Sequence, residues 1–70
     1  MKAIEFGKQV YSLNSVRIVA AVYQNYATIT IEEDTERILV TFEKCRFSEE
    51  RTVKEFENYL IGIENSNGNN

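Results

Sequence analysis

The chain has 70 residues, with 8 Lys and Arg against 11 Asp and Glu, a formal net charge of -3, and no His, Pro or Trp. Without histidine there is no Ser-His-Asp triad, no Cys-His pair and no histidine metal site, and a single Cys leaves no internal disulfide, zinc ribbon or iron–sulfur centre. An acidic chain without a basic run is ill suited to bind nucleic acid directly, because phosphate neutralisation needs clustered Lys and Arg.

Taken in chain order, residues 2–10 begin with alternation. Ile4 and Phe6 fall on one side and Ala3 and Glu5 on the other, which predicts a short strand weakened by Gly7 and Gln9. Ser12 is an N-cap candidate for a helix over residues 13–26, where Leu13, Val16, Val19, Ala20, Tyr23 and Tyr26 form one broad apolar face. Ile18 and Val22 carry the apolar sector further round than a single buried face requires. Residues 27–32 alternate again, with Ala27, Ile29 and Ile31 inward. The polar run Glu33-Asp34-Thr35-Glu36 reads as a turn, and residues 37–44 place Ile38, Val40 and Phe42 inward and Leu39 outward. Two such runs joined by a short polar turn predict an antiparallel hairpin.

Ser48 is a cap for a second helix, with Glu49 and Glu50 in the first turn where the helix dipole favours acids. Thr52-Val53-Lys54-Glu55 offers an alternative capping box one turn later. Val53, Phe56, Tyr59, Leu60 and Ile63 make the buried stripe, and Ile61 is a large apolar residue on the wet side. Residues 65–70, Asn-Ser-Asn-Gly-Asn-Asn, have nothing to bury and are expected to form a disordered polar tail behind one domain of residues 1–64.

The order strand, helix, strand, strand, helix predicts an α+β fold. A right-handed crossover and a hairpin give a three-stranded sheet of order 1-3-2, a split βαβ unit with both helices on one face. This is a ferredoxin-like arrangement lacking its last strand. The first strand is thereby expected to present an unpaired edge, open to strand addition.

At 43% hydrophobic and 27% charged residues the composition is that of a globular domain. Below roughly 70–80 residues a single core rarely supplies more than about 3–5 kcal/mol. Association with a partner or with a second copy is therefore expected. The longest apolar stretch, Ile18-Val19-Ala20-Ala21-Val22-Tyr23, is far short of the roughly 20 residues a membrane span needs. The acid at Glu5 interrupts what a signal peptide would keep apolar, and an unpaired Cys suits a reducing compartment. A cytoplasmic protein without membrane contact is expected.

Candidate chemistry is thin. Cys45 is the only soft nucleophile, and with no His to act as its base it reads as a strand-end thiol. Glu32, Glu33, Asp34 and Glu36 cluster without the spacing of a calcium loop and read as a solvated turn. Tyr23 and Tyr59 lie on core stripes, whereas Tyr11 and Tyr26, near the ends of the first helix, are expected to be partly exposed. No cofactor, metal or catalytic residue is assigned. The expected contact surfaces are the Ile18 and Val22 face, the edge of the first strand at Ile4 and Phe6, Leu39 on the open side of the sheet, and Ile61.

Val10-Tyr11-Ser12-Leu13, Ala21-Val22-Tyr23, Thr28-Ile29-Thr30-Ile31, Ile38-Leu39-Val40-Thr41 and Glu55-Phe56-Glu57-Asn58-Tyr59-Leu60 resemble the HxsD-like family. These are small proteins of His-Xaa-Ser peptide-maturation systems, associated with radical-SAM enzymes that modify ribosomally made peptides. The resemblance implies an accessory or peptide-recognition subunit, not a catalyst. A second resemblance, in element order and in Phe56-Glu57-Asn58-Tyr59-Leu60, is to the small dimerisation subunit of the tRNA-modifying KEOPS complex. The expected function is a non-catalytic binding or accessory module with a protein or peptide partner. The alternative is a structural homo-oligomer or a dimerisation subunit of a larger complex.

Overall fold

The computed structural model describes residues 1–68, with side chains described through residue 65. Its elements are β1 (Lys2–Gly7), α1 (Leu13–Tyr23), β2 (Thr28–Glu33), β3 (Arg37–Glu43) and α2 (Glu49–Gly68). The sheet order is β1-β3-β2, and both neighbours of β3 run antiparallel to it. β3 takes the centre because it carries the densest apolar alternation: Ile38, Val40 and Phe42 are all fully buried.

Alternation divides the sheet into two faces. On one, Ile4–Val40–Ile31 and Phe6–Ile38 align across the strands and meet the helices. On the other, Ala3–Thr41–Thr30 and Glu5–Leu39–Glu32 face away from them. Both helices close on the first face. Val16 and Val19 of α1 and Val53, Phe56 and Leu60 of α2 share one buried cluster with the strands. Phe56 is the hub, with ring centroids 5.1 Å from Phe42, 5.8 Å from Tyr23 and 6.4 Å from Phe6. Among the described residues no helix is long and apolar enough to cross a membrane.

Several element ends differ from the sequence reading, each for a local reason. β1 stops at Gly7 because the Gly7 carbonyl accepts from the N–H groups of both Val10 and Tyr11, at 3.1 and 3.0 Å, and turns the chain. α1 stops at Tyr23, three residues early. The N–H groups of Tyr26 and Ala27 fold back onto the Tyr23 carbonyl and close a turn. Ser48 is the cap of α2, its hydroxyl accepting from Arg51 N–H at 3.3 Å. Thr52 is not an alternative start: it is buried in the first turn and donates its hydroxyl to the Ser48 carbonyl at 2.9 Å. α2 then runs to Gly68, so the helical backbone covers the first four residues of the expected tail; Asn69 and Asn70 lie outside the described residues.

Candidate functional site

A concavity of about 690 Å³ lies where the end of α1 meets the start of α2. Val22 and Tyr23 come from α1, Tyr26 from the turn after it, Phe47 from the loop before α2, and Arg51 and Glu55 from the first turns of α2. Two backbone features bring these segments together. Lys44 adopts a left-handed conformation, φ 53°, and redirects the chain as β3 ends. The Arg46 N–H then donates to the Tyr26 carbonyl at 2.8 Å and ties the loop before α2 to the turn after α1. Phe47 is thereby held beside Tyr26, with ring centroids 6.1 Å apart.

The aromatic contacts continue inward. Tyr26 meets Tyr23 at 5.9 Å, and Tyr23 meets Tyr59 edge-on at 6.2 Å and the buried Phe56 at 5.8 Å. Such edge and tilted pairs each add about 0.5–1.5 kcal/mol beyond their area, so the floor of the groove is rigidly joined to the core. Its outer wall is open. Phe47 is 63% exposed, Val22 43% and Tyr26 41%. Apolar side chains exposed side by side at this level mark a contact surface more than scattered singles do.

Charge sits at the rim. The Arg46 guanidinium lies 5.9 Å from the centre of the Phe47 ring, and Arg51 Nε donates to Glu55 Oε2 at 3.1 Å. Burial, assisted by the Glu55 carboxylate, pushes the Tyr23 hydroxyl above its ordinary value. Tyr23 therefore stays neutral at physiological pH. The groove offers aromatic faces, aliphatic surface, one aromatic-stacked cation and one ion pair, which is chemistry for holding an amphipathic segment.

The structure separates the contact residues expected from sequence. Val22 lines the groove, and Ile18, one turn earlier on α1, is 44% exposed. Leu39 lies half-buried on the opposite face of the sheet, between Glu5 and Glu32 of the neighbouring strands. Ile61 is 43% exposed, but it stands about 160° round α2 from Tyr59, which faces α1. Ile4 is half-buried against the core. Phe6 is only 6% exposed, its ring held by Tyr11 and Phe56. Its side chain serves the core, so a partner at β1 would meet backbone there and not this ring.

One aromatic assignment also changes. Tyr59 leaves the core stripe and is 44% exposed, whereas Tyr26 is exposed as expected for a residue at the end of the helix. Phe47, the most exposed ring of the groove, has a signal of its own in the sequence. A hydrophobic residue just before an N-cap ordinarily staples onto the fourth helical residue. Here that residue is Thr52, which is buried with its hydroxyl bonded to the Ser48 carbonyl and offers a ring far less apolar surface than an aliphatic side chain would.

Cys45 is half-buried at the edge of the core cluster. In the β2–β3 turn, Asp34 Oδ1 accepts from the N–H groups of Glu36 and Arg37, both at 2.8 Å. These bonds hold its carboxyl below the usual range and commit it to the turn. No protein-family model, curated protein or solved structure matches the chain.

Proposed function

We propose that this protein is a non-catalytic binding module that holds a peptide segment of a partner protein in the groove between α1 and α2. The observation that carries this reading is the unbroken line of rings from buried Phe56 through Tyr23 and Tyr26 to the 63%-exposed Phe47. An anchored aromatic wall with one open side suits a side chain arriving from outside. Aromatic and Arg-rich clusters of this kind carry most of the energy in protein interfaces. The resemblance to HxsD-like proteins supplies the candidate partner class, an enzyme or precursor peptide of a peptide-maturation system.

The test is affinity purification of the tagged protein from its own cells, repeated with Phe47→Asp, with Val22→Asp, and with Leu39→Asp on the opposite sheet face. A partner held by the wild type and by Leu39→Asp, but lost from the two groove variants, supports the proposal. A partner insensitive to both groove variants, each confirmed folded by circular dichroism, removes it.

A further inference from the structure

The order β1-β3-β2 leaves two free sheet edges, and the backbone bonds at the strand ends show which groups each edge presents. Along a strand, N–H and C=O groups alternate sides. Asp34 N–H donates to the Arg37 carbonyl at 3.0 Å, and the Tyr26 carbonyl accepts from Arg46 at 2.8 Å. Even-numbered residues around β2 therefore face β3, and Ile29, Ile31 and Glu33 turn their backbone groups outward. By the same reasoning, the 2.9 Å bond from Lys8 N–H to the Glu36 carbonyl makes the even residues of β1 face β3. Ala3, Glu5 and Gly7 face out.

The two edges are not equivalent. On β1 the Gly7 carbonyl is already taken by Val10 and Tyr11, and the strand carries the charges of Lys2 and Glu5. Natural sheets guard their edges with charges spread along the strand in this way, whereas β2, equally long, keeps its two charges, Glu32 and Glu33, together at one end. On β2 the run Thr28-Ile29-Thr30-Ile31 has no charge, proline or glycine. Every residue in it is β-branched or a close fit to a pleated strand.

We propose that the β2 edge pairs with the β2 edge of a second copy, antiparallel about a two-fold axis at Thr30. Ile29 of each copy then lies opposite Ile31 of the other, and each such pair exchanges two N–H···O=C bonds. The Glu33 N–H reaches the Ala27 carbonyl of the other copy; the Ala27 N–H is already bonded to Tyr23. The segment is self-complementary in charge. Glu32 falls opposite Thr28 and Glu33 opposite Ala27, so no carboxylate meets another, whereas an axis at Glu32 would oppose the two Glu32 carboxylates. Ile29 and Ile31, half-buried in one copy, cover each other on the helix side, and the two three-stranded sheets become one.

Sedimentation equilibrium with variants of exposed Thr30 tests this. The wild type is expected to dimerise at about 100 µM or below. Thr30→Lys and Thr30→Glu each place like charges opposite one another and are expected to weaken the dimer about fivefold or more. An equimolar mixture of the two variants is expected to restore association as a heterodimer. Ala3→Lys, on β1, is expected to leave the dimer intact. A wild type that stays monomeric across this range overturns the proposal. So does a dimer that survives both Thr30 variants, or one abolished by Ala3→Lys.

Discussion

Glu64, in the C-terminal part of α2, caps the start of α1: its Oε1 accepts from the Ser12 N–H at 2.9 Å and from the Ser12 hydroxyl at 3.1 Å, across 52 residues of chain. Ser12 in turn accepts from the Ser15 N–H at 3.1 Å. The start of α1 thus has its own hydroxyl cap and a carboxylate from the other helix, placed where the helix dipole favours negative charge.

Removing that carboxylate is expected to destabilise the fold. Glu64→Ala should cost about 0.5–1 kcal/mol, the worth of a helix cap, read from the midpoint of urea unfolding. The Ser12 backbone bond, followed by the Ser15 and Ser12 side chains, holds the Glu64 carboxyl below its ordinary 4.5. A lowered folded-state pKa means that this contribution is complete above the unfolded value and is lost as pH falls through the folded one. Stability of the wild type is therefore expected to fall as pH drops below about 4.5. Glu64→Gln should flatten that part of the profile; an unchanged slope in Glu64→Gln would show that Glu64 does not contribute to it.

Phe56 touches rings from β1, β3 and α1 at once. Phe56→Ala is expected to cost about 3–5 kcal/mol. That is comparable with the whole stability of a domain this small. Near-ultraviolet circular dichroism should show loss of the fixed aromatic environment at 25 °C, and a cooperative thermal transition close to that of the wild type would contradict the role of Phe56 as hub.

Lys44, at φ 53°, holds a conformation that side chains other than glycine adopt at a cost of about 1–2 kcal/mol. Lys44→Gly removes that strain and adds chain entropy to the unfolded state, with an expected net gain of about 0.5 kcal/mol. Lys44→Val, β-branched, should lose stability and loosen the Arg46–Tyr26 tie that positions Phe47. Melting temperatures in the order Gly, Lys, Val from high to low are the expected result, and the reverse order would refute the strain.

Tyr23 ionises above the ordinary tyrosine range, first because of burial and then because of Glu55. A raised folded-state pKa makes its contribution complete below about pH 10, and the contribution fades as pH rises through the folded value. Tyr23→Phe is expected to shift the onset of alkaline unfolding to higher pH, and to remove a high-pH step from the tyrosinate absorbance. A step that remains in Tyr23→Phe would assign it elsewhere.

Much of the fold was legible along the chain. The alternation of Ile38, Val40 and Phe42 marks the central strand, Asp34 sits in the turn that joins β2 and β3, and Ser12 and Ser48 cap the two helices as their positions suggest. These features rest on periodicity and on bonds spanning two to four residues, which sequence records directly. The candidate site was much less legible. Val22 stood out as surplus apolar surface, but Phe47 and Tyr59 did not, because their exposure depends on which segments end beside them.

Local spacing of apolar side chains and local capping thus account for the elements, their order and the residues of the central core. Packing alone makes Glu64 bond the N-cap Ser12 52 residues earlier, lets Phe47 extend a line of rings from Phe56, and leaves β2 rather than β1 with the longer uncharged stretch of open edge. Each of these joins groups distant along the chain, and their meeting is set by how two helices and a twisted sheet settle against each other, a relation that no local period encodes.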